Sequence, residues 1–160
     1  MSMRRKNVAV KARAEITVMR IAGGWSKSMT VADYNRNIKA WCKAALAGEG
    51  GSVSVVLADD AVLREMNHTF RGKDKHTNVL SFSGEGDERG DIVLSYETVK
   101  REAKAQGKTF ESHVAHLVVH GCLHLLGHDH EGEKEAKRME ALETKILAGF
   151  GFPDPYIVAA

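Results

Sequence analysis

Apolar positions follow two different periods along this chain, and each period predicts a type of element. Residues 8–20 alternate between apolar and polar positions, which indicates a strand. From residue 31 the apolar positions recur every three or four residues, and Thr30 stands where a helix cap belongs. The predicted buried face of this helix consists of Val31, Tyr34, Ile38, Trp41 and Ala45. A β-branched run at residues 52–58 predicts a buried strand, and residues 61–68 predict a second helix.

The second half of the chain changes from strands to helices. Residues 78–82 and 91–95 are predicted strands, joined by a glycine-rich acidic loop at residues 84–90. Helical patterns follow at residues 96–106, 109–126 and 133–147. The middle one is apolar through Val114, Leu117, Val118, Cys122 and Leu125, and the last has the apolar stripe Met139, Leu142 and Ile146. Together they predict one α+β domain over residues 1–160, a small mixed sheet packed with about four or five helices around a central one.

Composition limits the cellular compartment and the class of partner that can be expected for this protein. A chain of 160 residues is long enough to bury a core without disulfides. Cys42 and Cys122 are too few for a disulfide framework, which fits a reducing cytosol. No apolar run approaches the ~20 residues that span a bilayer, and no apolar signal segment follows the basic start. We therefore predict a cytoplasmic protein without a membrane partner. The net charge of +2 is too small to indicate a nucleic-acid partner by itself.

The clearest chemical feature is a set of three histidines, His120, His124 and His130, with Gly127 between the last two. Residues four apart lie on one helix face about 5.4 Å apart, so one metal ion can bridge His120 and His124. A position eight along would lie ~12 Å away, too far for bonds near ~2.1 Å, so a third ligand requires the chain to leave the helix. Gly127 allows that turn, because glycine readily adopts the left-handed conformation that ends helices. His128 competes with His130 as third ligand but has less chain with which to turn back.

Three nitrogen ligands with an open fourth position are typical of a catalytic zinc site. The spacing is that of the long zinc-protease signature H-E-x-x-H-x-x-G-x-x-H, except at its second position. Those proteases have their general-base glutamate there, whereas this chain has Gly121. Peptide hydrolysis by the usual route is therefore disfavoured, and a different chemistry is expected. The sequence leaves the general base open, and Asp129 is a candidate for orienting a ligand imidazole.

The other histidines and Cys122 have simpler interpretations. His116 lies one turn before His120 but too far from His124 to share the ion, so we expect it to support a ligand or to pack. His113 and His68 are expected to occupy ordinary polar positions. Cys122 is turned away from the His120 face, and we predict that it packs rather than binds metal.

A second candidate site is the basic segment that begins at Arg71, in a predicted loop between a helix and a strand. Arg71, Lys73 and Lys75 place three cations within five residues, and Gly72 permits close approach of the backbone. This composition suits a phosphate-binding loop. On composition alone, however, a solvated charged loop is the better interpretation.

Four blocks of the chain carry a resemblance in their order and spacing, from about Ser54 to Tyr156. They are Met66-Asn67-His68-Thr69-Phe70 through Arg71-Gly72-Lys73-Asp74-Lys75 to Thr77-Asn78-Val79-Leu80-Ser81-Phe82; Gly90-Asp91-Ile92-Val93-Leu94-Ser95; His116-Leu117-Val118-Val119-His120 to His130; and Met139-Glu140 to Pro153-Asp154-Pro155-Tyr156. They resemble the YbeY family of bacterial endoribonucleases, also called rRNA maturation factors. Two departures, His76 and Ser83, stand where similar proteins often have proline.

The resemblance implies one zinc ion on His120, His124 and His130, and a functional Arg71. It also implies cleavage of single-stranded RNA in rRNA processing and ribosome quality control, with rRNA and ribosomal subunits as partners. Phosphate binding then becomes the better interpretation of the basic segment, so we assign RNA binding to Arg71, Lys73 and Lys75. Arg71 also suits catalysis, because its paired N–H donors can contact the phosphate oxygens on which negative charge builds.

Two other functions compete with this interpretation. One is a metal-dependent hydrolase of another bond, although Gly121 argues against the peptide case. The other is a zinc-stabilised RNA- or ribosome-binding module, in which the metal mainly holds the fold. An exchangeable water on the metal would favour an enzyme, and a closed fourth position would favour the module. The sequence also leaves open whether water or the ribose 2′-OH attacks the phosphate, and nickel suits the same imidazole ligands.

Overall fold

The computed structural model describes residues 13–27, 30–71, 77–128 and 131–157. The strands are β1 (Ala14–Arg20), β2 (Gly51–Ala58), β3 (Val79–Ser83) and β4 (Glu88–Ser95). The helices are α1 (Val31–Leu46), α2 (Asp60–Arg71), α3 (Tyr96–Ala105), α4 (Phe110–Leu125) and α5 (Glu133–Gly149), and a short 3-10 helix spans Gly23–Lys27. This arrangement confirms the α+β class that the hydrophobic pattern predicts.

The strands form one mixed sheet in the order β1-β2-β4-β3. β1, β2 and β4 run parallel, and β3 pairs with β4 in the antiparallel direction at the sheet edge. Successive side chains of a strand point to opposite faces, so β4 sends Ile92 and Leu94 into the core that contains α1 and α4, and Val93 into a smaller core with Leu63 of α2. The sheet therefore separates α2 from α4, and the β3 edge is where the two sides meet.

α4 lies in the middle of the main core, as its apolar sequence predicts. The Thr109 hydroxyl caps its first turn by accepting a hydrogen bond from the Ser112 N–H over 3.0 Å. Val118 and Cys122 are fully buried, and Cys42 from α1 lies in the same core. Cys122 therefore packs, as predicted.

β4 begins earlier than the sequence pattern predicts. The pattern indicates a loop up to residue 90, but Glu88 and Gly90 already pair with Ser52 and Val53 of β2 around a bulge. An irregular pairing of this kind does not produce a period of two in the sequence. Gly90 has a φ of 144°, and a side chain there would collide with the Phe82 carbonyl oxygen. The strand requires glycine at this point, which made it resemble a loop.

The helices differ from prediction mainly in where they end. The helix predicted at residues 61–68 continues to Arg71, so Arg71 ends a helix and does not lie in the loop. The predicted strand at residues 8–20 is present from Ala14, and its first positions lie outside the described residues. In the described ranges, no helix combines the length and the apolar character that crossing a bilayer requires.

Candidate metal centre

α4 ends in a left-handed turn directly after His124. Gly127 has a φ of 97°, and its N–H donates to the His124 carbonyl over 2.9 Å. The His128 N–H donates to the Leu123 carbonyl over 3.0 Å, which completes the Schellman arrangement of a helix end. The chain therefore turns where the third-ligand hypothesis needs it to turn. His130 lies outside the described residues, so its assignment as a ligand stays a prediction.

His120 and His124 present neighbouring imidazole rings on one face of α4. Their ring centroids lie 4.6 Å apart, and the ring planes are nearly perpendicular at 83°. The His120 side chain is 24% exposed, which leaves it accessible from solvent. Among residues 13–27, 30–71, 77–128 and 131–157, no three possible ligands come together around one point. These ranges contain only two of the three predicted ligands.

Glu143 of α5 holds the first predicted ligand. This glutamate has no exposed surface, and its Oε2 lies 2.7 Å from Nδ1 of His120. An ionised carboxylate only accepts hydrogen bonds, so the imidazole proton lies on Nδ1 and Nε2 is the ring nitrogen that carries the lone pair. A carboxylate behind a histidine is the usual arrangement that fixes the tautomer of a metal ligand. The donor set at His120 therefore fits a metal ion on Nε2.

The second carboxylate oxygen of Glu143 is also occupied. Its Oε1 lies 2.7 Å from Nε2 of His116 and accepts a hydrogen bond from the Tyr156 hydroxyl. Burial alone would raise the pKa of Glu143, but the hydrogen bonds from His116, His120 and Tyr156 outweigh burial and lower it to about 2. Burial and the Glu143 charge raise the pKa of Tyr156, so its phenol stays protonated. Glu143 thus keeps its negative charge at neutral pH, and His116 has the supporting position expected of it.

Sequence reasoning missed Glu143, although the sequence contains a signal for it. The stripe predicted for this helix was Met139, Leu142 and Ile146. In the structure, Met139, Glu143 and Leu147 are the buried residues, and they are spaced four apart on one face. A charged residue in a buried stripe needs a partner, because burying an unpaired charge is costly. That spacing indicates a buried carboxylate in need of a partner, although it does not show which element supplies the partner.

Gly121 lies where α4 packs closely on the sheet. A Cβ atom at Gly121 would lie 3.0–3.1 Å from three side-chain atoms of Ile92 on β4. A larger residue at this position would therefore require the Ile92 side chain to shift by a few tenths of an ångström. Gly121 thus contributes to the packing of helix on sheet, where the zinc-protease signature has a glutamate.

The end of α2 reaches the same end of the sheet as the end of α4. The exposed ring of Phe70 in α2 meets the Phe82 ring of β3 at a centroid distance of 5.3 Å. Gly90 lies beside the Phe82 carbonyl, and a Cβ atom placed on Gly90 would be 2.8 Å from the Leu125 side chain at the end of α4. Leu125 directly follows His124. A short series of contacts around the β3 edge therefore connects the two helix ends.

Arg71, the predicted catalytic residue, is the last residue of α2 and follows Phe70 directly. The side chain of Arg71, like Lys73 and Lys75, lies outside the part of the chain that the structure describes. The structure thus places the helix end that carries Arg71, and the roles of the three cations stay predictions.

His113 differs from its expected position. It is 4% exposed, and its Nε2 lies 2.8 Å from Oε1 of Glu102, which also accepts a hydrogen bond from the Asn78 amide over 2.9 Å. The expectation of an ordinary polar position is therefore wrong for His113, whereas His68 is exposed as expected. This partly buried network joins α4 and α3 to Asn78, which precedes β3 and lies at the opposite end of that strand from Phe82.

Comparison with known proteins shows to which family this chain belongs. The family model described as Endoribonuclease YbeY matches residues 23–151. This chain belongs to the YbeY family. An endoribonuclease YbeY of Chelativorans sp. (strain BNC1) is 57% identical over 113 residues, which cover 66% of this chain and 69% of that protein. An endoribonuclease YbeY of Pseudomonas putida (strain W619) is 48% identical over 128 residues, which cover 74% of this chain and 82% of that protein.

A solved structure has a similar fold. The solution structure of a protein from Thermotoga maritima superposes with a TM-score of 0.55 at 26% identity, covering 88% of this chain and 98% of that one. The resemblance carried by the four sequence blocks is therefore confirmed. The range matched by the YbeY model contains both helix ends of the candidate site and Glu143, whereas Tyr156 lies beyond it.

Proposed function

We propose that this protein is a zinc-dependent endoribonuclease that cleaves single-stranded RNA, acting in rRNA processing and ribosome quality control. Membership of the YbeY family and the relatives named as endoribonucleases support RNA cleavage. The observation that carries the metal part is the pair of adjacent imidazoles on α4, of which His120 is held by the buried Glu143. The proposal places the protein in the cytoplasm, with rRNA and ribosomal subunits as partners.

The donor set on α4 fits zinc. Neutral imidazoles bind zinc through one nitrogen while the other nitrogen donates to a carboxylate, and His120 has this arrangement with Glu143. We assign His124 as the second ligand and His130 as the third. Bound zinc supplies Lewis-acid chemistry, since it polarises a phosphoryl oxygen and acidifies water. Nickel also suits these ligands, so the native metal is a matter for metal analysis.

The proposal assigns metal binding to the end of α4 and phosphate binding to the end of α2. Glu143 fixes the His120 ring and its tautomer, so that Nε2 is the nitrogen that would bind the metal. Arg71, at the end of α2, is assigned to the phosphate, where two parallel N–H donors oppose the charge that develops on its oxygens. Lys73 and Lys75 are assigned to neighbouring phosphates of the same strand.

Phe70 favours a single-stranded substrate. Phe70 is 65% exposed although phenylalanine is strongly apolar, and its ring packs against the Phe82 ring in an edge-to-face contact. Exposed aromatic rings beside cations are typical of single-strand binding, because unpaired bases stack on the ring while the cations follow the phosphates. Bases in a duplex are already stacked on one another and cannot use such a ring.

The test of the proposal is metal analysis combined with cleavage by the purified protein. Unstructured RNA should be cut, cleavage should stop after chelation, and added zinc should restore it. Casein should stay intact, because Gly121 stands where the peptidase mechanism needs its general-base glutamate. Chelator-sensitive casein cleavage without RNA cleavage would overturn the ranking of the two enzymes. A protein that binds RNA and unfolds on chelation but never cuts would be the binding module.

A further inference from the structure

The C-terminal segment after α5 packs against α1 and the loop that precedes α4. The ring of Phe152 packs against Trp41 of α1 at a centroid distance of 5.8 Å. Pro155 is buried, and its carbonyl accepts a hydrogen bond from the Lys108 ammonium. The Tyr156 N–H donates to Oδ1 of Asp154 over 2.8 Å. These contacts determine the path of the segment without the Tyr156 hydroxyl.

The Tyr156 hydroxyl serves a different purpose, because it donates to Oε1 of Glu143. His116 donates to the same oxygen from Nε2 at 2.7 Å, and the phenol oxygen lies 3.3 Å from that nitrogen. The carboxylate has no exposed surface, and its two oxygens accept hydrogen bonds from side chains of the protein. Because His116 and Tyr156 both donate to Oε1, the orientation of the carboxylate plane is fixed. The other oxygen, Oε2, faces Nδ1 of His120.

Packing alone does not account for this contact. The Tyr156 residue is 44% exposed, so its ring adds little to the core. The group that its hydroxyl meets is the carboxylate that orients the predicted metal ligand, 13 residues earlier in the chain.

We propose that Tyr156 is a positioning residue of the metal site, which acts through Glu143 on His120. The inference rests on the proposed metal site, and it assigns a role to a residue beyond the range that the family model matches. Loss of the hydroxyl leaves Oε1 with one donor fewer, so the carboxylate holds the His120 ring less firmly and zinc binds more weakly. His116 contributes to the same carboxylate from α4.

Zinc affinity of the full-length chain tests this role. The metal-free protein is titrated with Zn²⁺ in competition with a chromophoric chelator, for the wild type, Tyr156→Phe, Ile157→Ala and His120→Ala. Tyr156→Phe keeps the ring and should weaken zinc binding about tenfold, the lower end of the roughly 10–100-fold effect of partners behind metal ligands. Ile157→Ala changes an exposed neighbour in the same segment and should bind zinc like the wild type. His120→Ala should lose zinc, and if it does not, the metal site itself is wrong.

Two further readouts separate positioning from simple structural support. Replacing zinc with Co²⁺ gives a visible absorption spectrum that depends on ligand geometry, and Tyr156→Phe should shift it. In a Glu143→Ala background the Tyr156→Phe substitution should have no further effect on affinity, because the side chain that links Tyr156 to His120 has already been removed. Unchanged zinc affinity and an unchanged Co²⁺ spectrum in Tyr156→Phe, beside a His120→Ala variant that loses zinc, would overturn the proposal. A lower melting temperature of metal-free Tyr156→Phe with wild-type zinc affinity would do the same.

Discussion

The candidate site has a metal side, with His120, His124 and Glu143, and a phosphate side at the end of α2, with Phe70 and Arg71. The two sides are stabilised in different ways. On the metal side, His120 is fixed by a carboxylate with no exposed surface, between two packed helices. On the phosphate side, α2 ends at the sheet edge beside the exposed ring of Phe70. Metal ligands must lie within about 0.2 Å of their ideal distances, whereas cations follow a phosphate backbone at longer range. Removal of His120 or His124 should therefore be nearly all-or-none, whereas substitutions on the phosphate side should have graded effects.

The largest effects are expected for the metal ligands. His120→Ala or His124→Ala should abolish stoichiometric zinc and RNA cleavage, because two remaining ligands do not hold the ion tightly. His130→Ala should weaken zinc binding strongly, and His128→Ala should matter less. Metal content per chain, measured after gel filtration, checks all four variants. If His128→Ala loses zinc and His130→Ala keeps it, the assigned third ligand is wrong.

The next effect is expected for Arg71. Arg71→Ala should fold, keep its zinc and lose about 3 kcal/mol of transition-state stabilisation, on the order of a hundredfold in rate. Arg71→Lys should recover only part of this, because one ammonium does not reproduce the planar pair of donors. Arg36→Ala removes a surface charge on α1, exposed at 73%, and serves as the matched control.

Single-turnover rates at saturating RNA separate two roles for Arg71. If Arg71 is catalytic, its loss lowers the rate even when RNA is saturating. If Arg71 only positions phosphate, its loss weakens RNA binding and makes the salt dependence of binding shallower, but turnover recovers at saturating RNA. Wild-type turnover by Arg71→Ala under these conditions would remove Arg71 from the catalytic residues.

The sequence predicts local features of this site better than the contacts between elements. The spacing of His120 and His124 and the turn at Gly127 are local, because four residues of helix and one left-handed glycine determine them. The pairing of Glu143 with His120 joins two helices, and helix periodicity does not state which faces meet. The start of β4 was missed for a similar reason, since its bulge exists only in the pairing with β2.

A smaller effect is expected for Phe70. Phe70→Leu keeps an apolar side chain but removes the flat ring, so affinity for single-stranded RNA should fall about tenfold, near ~1.4 kcal/mol. Cleavage at saturating RNA should change little, and zinc affinity should not change. Phe150→Leu, at an exposed phenylalanine just after α5, is the control. Fluorescence of an RNA with a single 2-aminopurine would report stacking directly. Equal RNA affinity for Phe70→Leu and the wild type would remove base stacking from the phosphate side.

The smallest effect concerns Asp60, the first residue of α2, at the opposite end of the helix from Arg71. Its carboxylate accepts hydrogen bonds from the Ser95 and Thr98 hydroxyls and pairs with Arg101 at 3.2 Å. Burial would raise the pKa of Asp60, but these donors outweigh it and lower the pKa below its ordinary value of 3.8. The charged form is thus favoured by folding, and Asp60→Asn should cost about 1 kcal/mol of unfolding free energy at pH 7.

The pH dependence of this loss gives the check. A lowered folded-state pKa stabilises the protein fully above pH 3.8 and loses that contribution as the pH falls through the lower value. The stability difference between the wild type and Asp60→Asn should therefore be constant from pH 7 to about pH 5 and shrink in stronger acid. Asp87→Asn, in the exposed turn before β4, should show little difference at any pH. Zinc affinity should be unchanged in both variants. A loss of zinc affinity in Asp60→Asn would mean that the metal side depends on how α2 is anchored, and the two sides would no longer be separable.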